Sequence, residues 1–144
     1  MDEQNFGNHT RWVPAFHFFV VPVLLINFGM QLYWWGRLRF VPIHFLPVLV
    51  SAALLVGFVA ARTMALAVQD RVIRLEERLR YERVLPAELL SRSGDLDVGQ
   101  IVALRFASDA ELATLLQRVL DEKLTKRKAI KQLVKNWRPD YLRA

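Results

Sequence analysis

The sequence predicts an all-α protein with a membrane-spanning part, and three observations support this. Residues 14–35 and 40–61 form two apolar stretches of 22 residues each. Residues 12–61 hold only two charged side chains, Arg37 and Arg39. By contrast, residues 62–144 carry 17 of the 20 Lys and Arg residues and 12 of the 14 Asp and Glu residues. This uneven charge predicts a lipid-embedded part followed by a part in water.

Each apolar stretch is long enough to cross a bilayer as one helix. A helix of that length extends ~33 Å, close to the ~30 Å hydrocarbon core. Residues 36–39 leave room only for a tight turn, so we expect a two-helix transmembrane hairpin over 14–61 after an N-terminal segment, 1–13. Pro22 and Pro47 lie inside the predicted spans, where each is expected to kink its helix or loosen a turn. Aromatic residues mark the ends of the first span: Trp12, Tyr33, Trp34 and Trp35.

The distribution of arginine predicts the orientation of the hairpin. The turn between the spans carries two arginines, whereas six follow the second span: Arg62, Arg71, Arg74, Arg78, Arg80 and Arg83. Basic segments next to membrane helices stay preferentially in the cytoplasm. We therefore expect both termini to be cytoplasmic.

Small and polar residues in the spans predict helix packing. Ala53, Gly57 and Ala61 recur every four residues in the second span, and such a stripe lets another helix approach closely. That helix is either the first span of the same chain or a partner subunit. Asn27 and Gln31 lie four apart on the first span, and unpaired amides are costly in lipid. Their expected partners are the hairpin itself, a lipid headgroup or another helix.

The second helix is expected to continue beyond the membrane as a cytoplasmic stalk over 62–84. Val68, Val72, Leu75 and Leu79 recur at spacings of 4, 3 and 4, which is the pattern of a coiled-coil seam. We expect the helices of the chain's own tail to fold back onto this seam. The alternative is that the seam joins the chain to itself.

Residues 85–144 predict a small, basic helical module. Pro86 is expected to end the stalk, and Ser91, Ser93 and Gly94 to form a loop. Three short amphipathic helices should follow, and the last should run through Trp137 to Pro139. Their expected caps are Asp97, a capping box from Ser108 to Glu111, and Thr125. At ~50 residues such a bundle is marginal alone and should lean on the stalk or a neighbour.

The third of these helices carries a basic face. Its members are Lys123, Lys126, Arg127, Lys128, Lys131 and Lys135, and Arg138 follows them. The simplest interpretation is a solvated surface, and the second is contact with anionic lipid or a partner protein. A DNA-recognition helix is the least favoured, because no set of side chains points to base readout. We expect no nucleic-acid partner.

The residues give little sign of catalysis. There is no cysteine, which excludes disulfides and thiolate chemistry, and no nucleotide-binding or metalloprotease motif is present. His17 and His44 fall at opposite ends of the hairpin, so one metal cannot join them. Haem or chlorophyll ligation by a lone histidine is the disfavoured alternative. Glu76, Glu77 and Arg80 fit pairing on a helix surface. We expect no enzyme, no metal and no cofactor.

Four stretches of the sequence are distinctive when taken together. They are Gln4-Asn5-Phe6 with Asn8-His9 and Arg11; Arg71-Val72-Ile73-Arg74-Leu75-Glu76 with Arg78-Leu79-Arg80-Tyr81; Gly99-Gln100-Ile101 with Ala103-Leu104-Arg105-Phe106-Ala107-Ser108-Asp109; and Ile130-Lys131 with Lys135-Asn136-Trp137-Arg138-Pro139-Asp140-Tyr141. Over nearly the whole chain they resemble a family of small bacterial two-span membrane proteins catalogued as a domain of unknown function. The resemblance implies a bacterial source, two spans and a specifically folded tail. It supplies no activity and no catalytic residue.

These observations favour a non-catalytic accessory subunit of a larger complex in the bacterial inner membrane. Its hairpin would pack on other integral membrane subunits and its tail on a cytoplasmic face. The first alternative is a self-associating scaffold at the membrane surface, held by anionic lipids. The second is a small oligomeric transporter or channel lined by Asn27 and Gln31, although the spans lack the buried ionisable residues typical of transport.

Overall fold

A computed structural model describes residues 5–7 and 13–140 of the chain. Over these residues the chain is helical, apart from one isolated antiparallel bridge between Ala107 and Trp137. The all-α prediction is thus confirmed for this part of the molecule. The described residues form two compact units that divide between Ala65 and Leu66, here called the apolar unit (13–65) and the C-terminal unit (66–140 with 5–7). Trp12 and Tyr141 lie outside the described residues. Of the first distinctive stretch, only Asn5 and Phe6 lie within them.

The first apolar segment is helical from Ala15 to Arg37. A π-helical turn, Ala15–Val20, leads into α1, Val21–Arg37. Pro22 falls in the first turn of α1. Because proline has no N–H to donate, a regular α-helix would be interrupted here, and the wider preceding turn accommodates the interruption. The expected loosening of the helix at Pro22 is therefore confirmed.

The connection between the apolar helices is longer than the sequence suggested. The chain leaves α1 after Arg37, and both Arg39 and Phe40 have positive φ angles, of 55° and 60°. These are unusual for residues with a Cβ atom. The Phe40 ring packs edge-on against Trp35, with centroids 4.9 Å apart. A 3₁₀ turn, Pro42–His44, then precedes α2. The prediction that the second helical segment begins at residue 40 was therefore wrong.

The second long helix, α2, runs without interruption from Phe45 to Val84. Its 40 residues correspond to a length of ~60 Å. Pro47 lies in its first turn, where the missing N–H has no helical acceptor. The expectation that Pro47 kinks the second span is therefore wrong. The helix ends two residues before Pro86, as predicted.

Side chains near both ends of α1 contact α2 within the apolar unit. Phe16 stacks on Phe58 with ring centroids 4.4 Å apart. Near the connection, Trp35 lies 5.1 Å from Phe45. On α2, Val48 and Ser51 are buried, and the Ser51 hydroxyl donates to the carbonyl of Val48. One face of α2 is thus covered by the first helical segment.

Four short helices follow in the C-terminal unit: α3 (Ala87–Arg92), α4 (Val98–Leu104), α5 (Asp109–Asp121) and α6 (Arg127–Leu133). A 3₁₀ turn, Ser93–Asp95, separates α3 from α4. The loop predicted at Ser91 was therefore wrong, because that residue lies within α3. The cap at Asp97 is confirmed, since its carboxylate accepts from the Gln100 N–H at 2.7 Å. At α5, Glu111 accepts from the Ser108 N–H at 3.3 Å, as a capping box requires.

The last helix is shorter than the apolar pattern indicated. It begins after Lys126 and ends at Leu133, whereas the sequence predicted a helix from Thr125 to Trp137. Residues 134–140, here called the C-terminal strap, are not helical and contain the bridge at Trp137. Beyond Val134, backbone groups of the strap bond to Phe106, Ser108 and Glu111. These tertiary hydrogen bonds override the helical periodicity of the sequence.

The core of the C-terminal unit joins the end of α2 to the short helices. Tyr81 and Leu85 meet buried leucine and isoleucine side chains of α4, α5 and α6, among them Leu104, Leu116 and Ile130. Each of these three is 0% exposed. In the last turns of α2, Tyr81 therefore belongs to the same core as the short helices. The burial fixes which face of α2 is turned inward.

Candidate functional site

The C-terminal unit buries Arg80 among oxygen acceptors. Its Nε donates to Asp109 at 2.7 Å, and its Nη2 donates to the carbonyl of Ala107 at 2.7 Å. Its Nη1 donates to Glu77 at 3.1 Å and reaches the carbonyl of Arg105 at 3.5 Å. The Arg80 side chain is only 4% exposed. A planar guanidinium can hold several acceptors at once, so Arg80 fixes α2 to the connection between α4 and α5.

Glu77 lies beneath this arginine and has a second cationic partner. Its other carboxylate oxygen lies 3.3 Å from Nη1 of Arg138, on the C-terminal strap. Burial raises the pKa of Glu77, although Arg80 and Arg138 act in the opposite direction. Burial also raises the pKa of the neighbouring Tyr81 hydroxyl far above its ordinary value. Glu77 and Arg80 do pair, but the expected position on a helix surface was wrong.

The C-terminal strap is held mainly by backbone hydrogen bonds. The Ser108 N–H donates to the carbonyl of Asn136 at 3.0 Å, and the Arg138 N–H donates to the carbonyl of Phe106 at 2.7 Å. The Glu111 carboxylate accepts from the Asn136 N–H at 3.0 Å. Glu111 therefore caps α5 and anchors the strap with one side chain.

Rings and cations surround Phe106 under the strap. Its centroid lies 4.9 Å from that of Trp137. Arg105 lies 4.6 Å and the Lys131 ammonium 4.9 Å from the same ring. Arg105 also faces Asp140 at 3.2 Å. Arg105 and Lys131 thus make cation–π contacts within the fold.

A cleft of about 540 Å³ opens between α2 and the strap. Its lining combines charged and apolar side chains: Gln69, Val72, Ile73, Glu76, Glu77, Leu79, Arg80, Arg83, Arg105, Arg138, Pro139 and Asp140. Over residues 5–7 and 13–140, no group of three His, Asp or Glu side chains is placed to hold a metal. Among these lining residues, Ile73, Glu77 and Arg80 are buried, whereas Val72 and Leu79 are exposed.

The predicted stalk seam is uncovered. Val68, Val72, Leu75 and Leu79 are 60%, 49%, 60% and 54% exposed. The short helices pack instead on the opposite face of α2, where Ile73 is buried beside Glu77 and Arg80. The expectation that the chain's own tail covers the seam was therefore wrong. The inward face of α2 consists of Ile73, Glu77, Arg80 and Tyr81.

The residues of the predicted basic face divide into two groups. Arg127 lies 3.3 Å from Asp70, and Lys131 contacts the Phe106 ring. Four others are exposed at the surface of the C-terminal unit: Lys123, Lys126, Lys128 and Lys135. Arg127 and Arg138 are also exposed, at 51% and 53%, so only Lys131 of this basic face is half-buried.

The small-residue stripe of α2 is also uncovered. Ala53, Gly57 and Ala61 are exposed, and a Cβ atom added to Gly57 would meet nothing within 4 Å. The stripe lies on a different face of α2 from the buried residues Val48 and Ser51. Packing of the stripe on the chain's own first span, one of the two expected arrangements, is therefore not what the apolar unit contains.

The predicted polar and histidine positions of the apolar unit are spread along it. Asn27 and Gln31 are half-buried on α1. Nδ1 of His17 lies 3.1 Å from the backbone nitrogen of Val13 and 3.0 Å from its carbonyl, a local contact at the start of the helix. His44 is exposed in the 3₁₀ turn before α2. The two histidines thus belong to different helical segments and do not form one site.

These features define an all-helical protein in which two helices are long and apolar enough to cross a membrane: Ala15–Arg37 and Pro42–Val84. The chain belongs to the DUF6526 family, a family of unknown function, whose model matches residues 1–144. This confirms the resemblance to a family of unknown function. No curated protein and no solved structure matches the chain.

The buried ion-pair cluster is the feature that the sequence analysis missed. Glu77, Arg80, Arg105, Asp109 and Arg138 come from three separate segments. A signal was present, because all but Glu77 belong to the distinctive stretches of the tail, and Glu77 lies between two parts of one. The correct inference from this signal would have been that these stretches lie close together in space.

Proposed function

We propose that this chain is a non-catalytic accessory subunit of a larger complex in the bacterial inner membrane. In this proposal the two apolar helices form a transmembrane hairpin, and both termini are cytoplasmic. The observation that carries it is the uncovered stripe of Ala53, Gly57 and Ala61 on α2. The following steps give its support.

The surface of the apolar unit suits lipid. Large apolar side chains point outward on both helices, for example Phe18 (67% exposed), Ile26 (63%) and Val56 (69%). Contiguous apolar surface of this kind is rare on proteins that live in water. The arginines that follow the second apolar stretch favour a cytoplasmic location for the C-terminal unit.

The uncovered stripe supports packing against a helix other than the chain's own α1. In lipid, helices associate through close packing of small residues, because the hydrophobic effect no longer drives them together. The face of α2 that carries Val48 and Ser51 is already covered. The stripe at Gly57 has nothing within 4 Å and leaves space for a closely packed helix.

The amides of α1 support the same interpretation. Asn27 and Gln31 are half-buried in a segment that the proposal places in hydrocarbon. An amide without a hydrogen-bond partner in hydrocarbon costs free energy. Membrane proteins usually satisfy such an amide with a hydrogen bond to a neighbouring helix. Partner helices would supply such bonds.

A native gel of membranes solubilised in mild detergent tests the proposal. We expect the wild-type chain to migrate in a complex much larger than a small oligomer of itself. Gly57→Leu should fill the space above the stripe and release most of the chain from that complex. Val59→Leu is the matched control, since Val59 is 63% exposed on another face of the same helix.

Two results would contradict the proposal. One is migration of the wild-type chain only as an isolated small oligomer. The other is extraction of the chain by carbonate without detergent. That result would contradict the transmembrane hairpin and, with it, the proposed role as a subunit.

A further inference from the structure

The seam of α2 and the packed face of α2 lie on opposite sides of the helix. Reading Val72 as heptad position a places Leu75 at d and Leu79 at the next a. Ile73 and Glu77 then occupy positions b and f, which face away from such a seam, and both are buried by the short helices. The fold of the C-terminal unit therefore keeps the seam free while it buries Ile73 and Glu77 on the far side of the helix.

Charges beside the seam favour one arrangement of two copies. In a parallel pair, a residue at position g faces the residue at position e five places later in the other copy. Arg71 is at g and Glu76 is at the following e, so they would form two opposite-charge pairs. In an antiparallel pair that aligns the same four seam residues, Arg71 would face Arg78, and Glu76 would face the uncharged Gln69. Only the parallel arrangement gives attraction at this level.

We propose that the chain pairs with a second copy of itself through a parallel seam made of Val68, Val72, Leu75 and Leu79. This deepens the proposed function and rests on it, because a shared membrane orientation makes the two stalk helices parallel. Two heptads are marginal as an isolated coiled coil. Anchoring both helices in one membrane raises their effective concentration and offsets that weakness. The accessory subunit would then enter its complex as a pair.

The same register contains one unfavourable pair. Arg78 at g would face Arg83 at the following e of the second copy. Both side chains are exposed, so the repulsion is screened by water and stays small. Reversal of one charge at this level should therefore strengthen the pair.

Cysteine crosslinking in native membranes tests the pairing. The chain has no cysteine of its own, so single replacements give a clean background. We expect Leu75→Cys to form a disulfide-linked dimer on mild oxidation, because residues at position d face their counterparts within disulfide reach. Arg74→Cys, one residue off the seam and also exposed, is the control and should give at least about tenfold less dimer, since its Cβ points away from the partner helix.

Charge exchange in the Leu75→Cys background tests the register. Arg71→Glu alone and Glu76→Arg alone should each lower the dimer yield about fivefold, and the double exchange should restore it, as expected for modest surface pairs formed twice. Arg83→Glu should raise the yield. Equal crosslinking at residues 74 and 75, or a crosslink only to a protein of different mass, would overturn the pairing.

Carbonate extraction and native gels of the same membranes separate the two proposals. Absent crosslinks in a chain that resists carbonate and stays in its large complex would reject only the pairing. Release by carbonate would reject the membrane hairpin on which both proposals rest.

Discussion

Nη1 of Arg80 donates to the carboxylate of Glu77 at 3.1 Å inside the C-terminal unit, where the two side chains are 4% and 5% exposed. Taking two charges out of water costs free energy, which their attraction offsets only when further hydrogen bonds complete their shells. Here the carbonyl of Ala107 and the carboxylate of Asp109 satisfy the arginine, and Arg138 adds to the glutamate. The following predictions depend on this arrangement.

Arg80→Met should destabilise the C-terminal unit by about 3–5 kcal/mol, the usual cost of leaving one partner of a buried ion pair alone. Glu77 would keep only Arg138, and the carbonyl of Ala107 would lose its donor. Thermal unfolding of the protein in mild detergent, followed by circular dichroism, measures the change. Arg74→Met, at an exposed position on the same helix, should change stability by less than about 0.5 kcal/mol. Equal stability of the two variants would contradict the assigned role of Arg80.

The buried carboxylate of Glu77 predicts a pH dependence. Because burial raises its pKa in the folded state, the folded chain holds this proton more tightly than the unfolded chain does. The stabilisation linked to Glu77 is then complete below the unfolded pKa and is lost as pH rises through the folded pKa. Glu77→Gln removes this dependence, so its stability relative to wild type should increase from acidic to neutral pH.

Denaturant titrations of both proteins between pH 4 and pH 7 test the sign. A stability difference that stays constant, or that moves against the variant as pH rises, would show that the ion pairs with Arg80 and Arg138 outweigh the burial of Glu77.

Trp137→Ala should loosen the C-terminal strap. The ring packs on Phe106 with centroids 4.9 Å apart, and removal of a half-buried aromatic side chain costs about 2–3 kcal/mol. The backbone bonds of Asn136 and Arg138 should then open more often. Hydrogen exchange at the N–H groups of Asn136 and Arg138 reports this directly. Gln132→Ala, at an exposed position of α6, is the control, and equal exchange in the two variants would contradict the prediction.

The exposed lysines of the C-terminal unit should be protected by anionic lipid. Each basic residue near an anionic surface contributes about 1 kcal/mol. In lipid nanodiscs, acylation of Lys126, Lys128 and Lys135 should be slower with anionic than with zwitterionic lipid at low salt. The difference should shrink in high salt, because the attraction is screened. Lys131, which already lies over Phe106, should be modified slowly in both, and equal rates in the two lipids would contradict lipid contact.

Local signals predicted the fold well where they agreed with the tertiary structure. The caps at Asp97 and Ser108 begin α4 and α5 where the sequence placed them, because each capping bond joins residues of the same first turn. The end of α2 before Pro86 follows from the same kind of local chemistry. These features depend on residues within four positions of each other.

The errors came from interactions between distant segments. The apolar spacing that ends in Trp137 is helical, yet the strap is not helical because Phe106 and Ser108 bond its backbone. Likewise, Glu77 and Arg80 have the spacing of a surface pair, but the short helices bury them. Amphipathic periodicity shows that a face is apolar, and it does not show which segment covers it. For that reason the uncovered seam at Leu75 could not be predicted from the sequence.

The bond between Glu77 and Arg138 joins residues 61 positions apart in the chain. During synthesis, Glu77 is made long before the arginine that completes its surroundings. Until the strap emerges, the nascent unit exposes a carboxylate and the apolar groups around Phe106, a state in which partly folded chains tend to aggregate. The C-terminal unit can therefore complete its fold only when translation has passed residue 138.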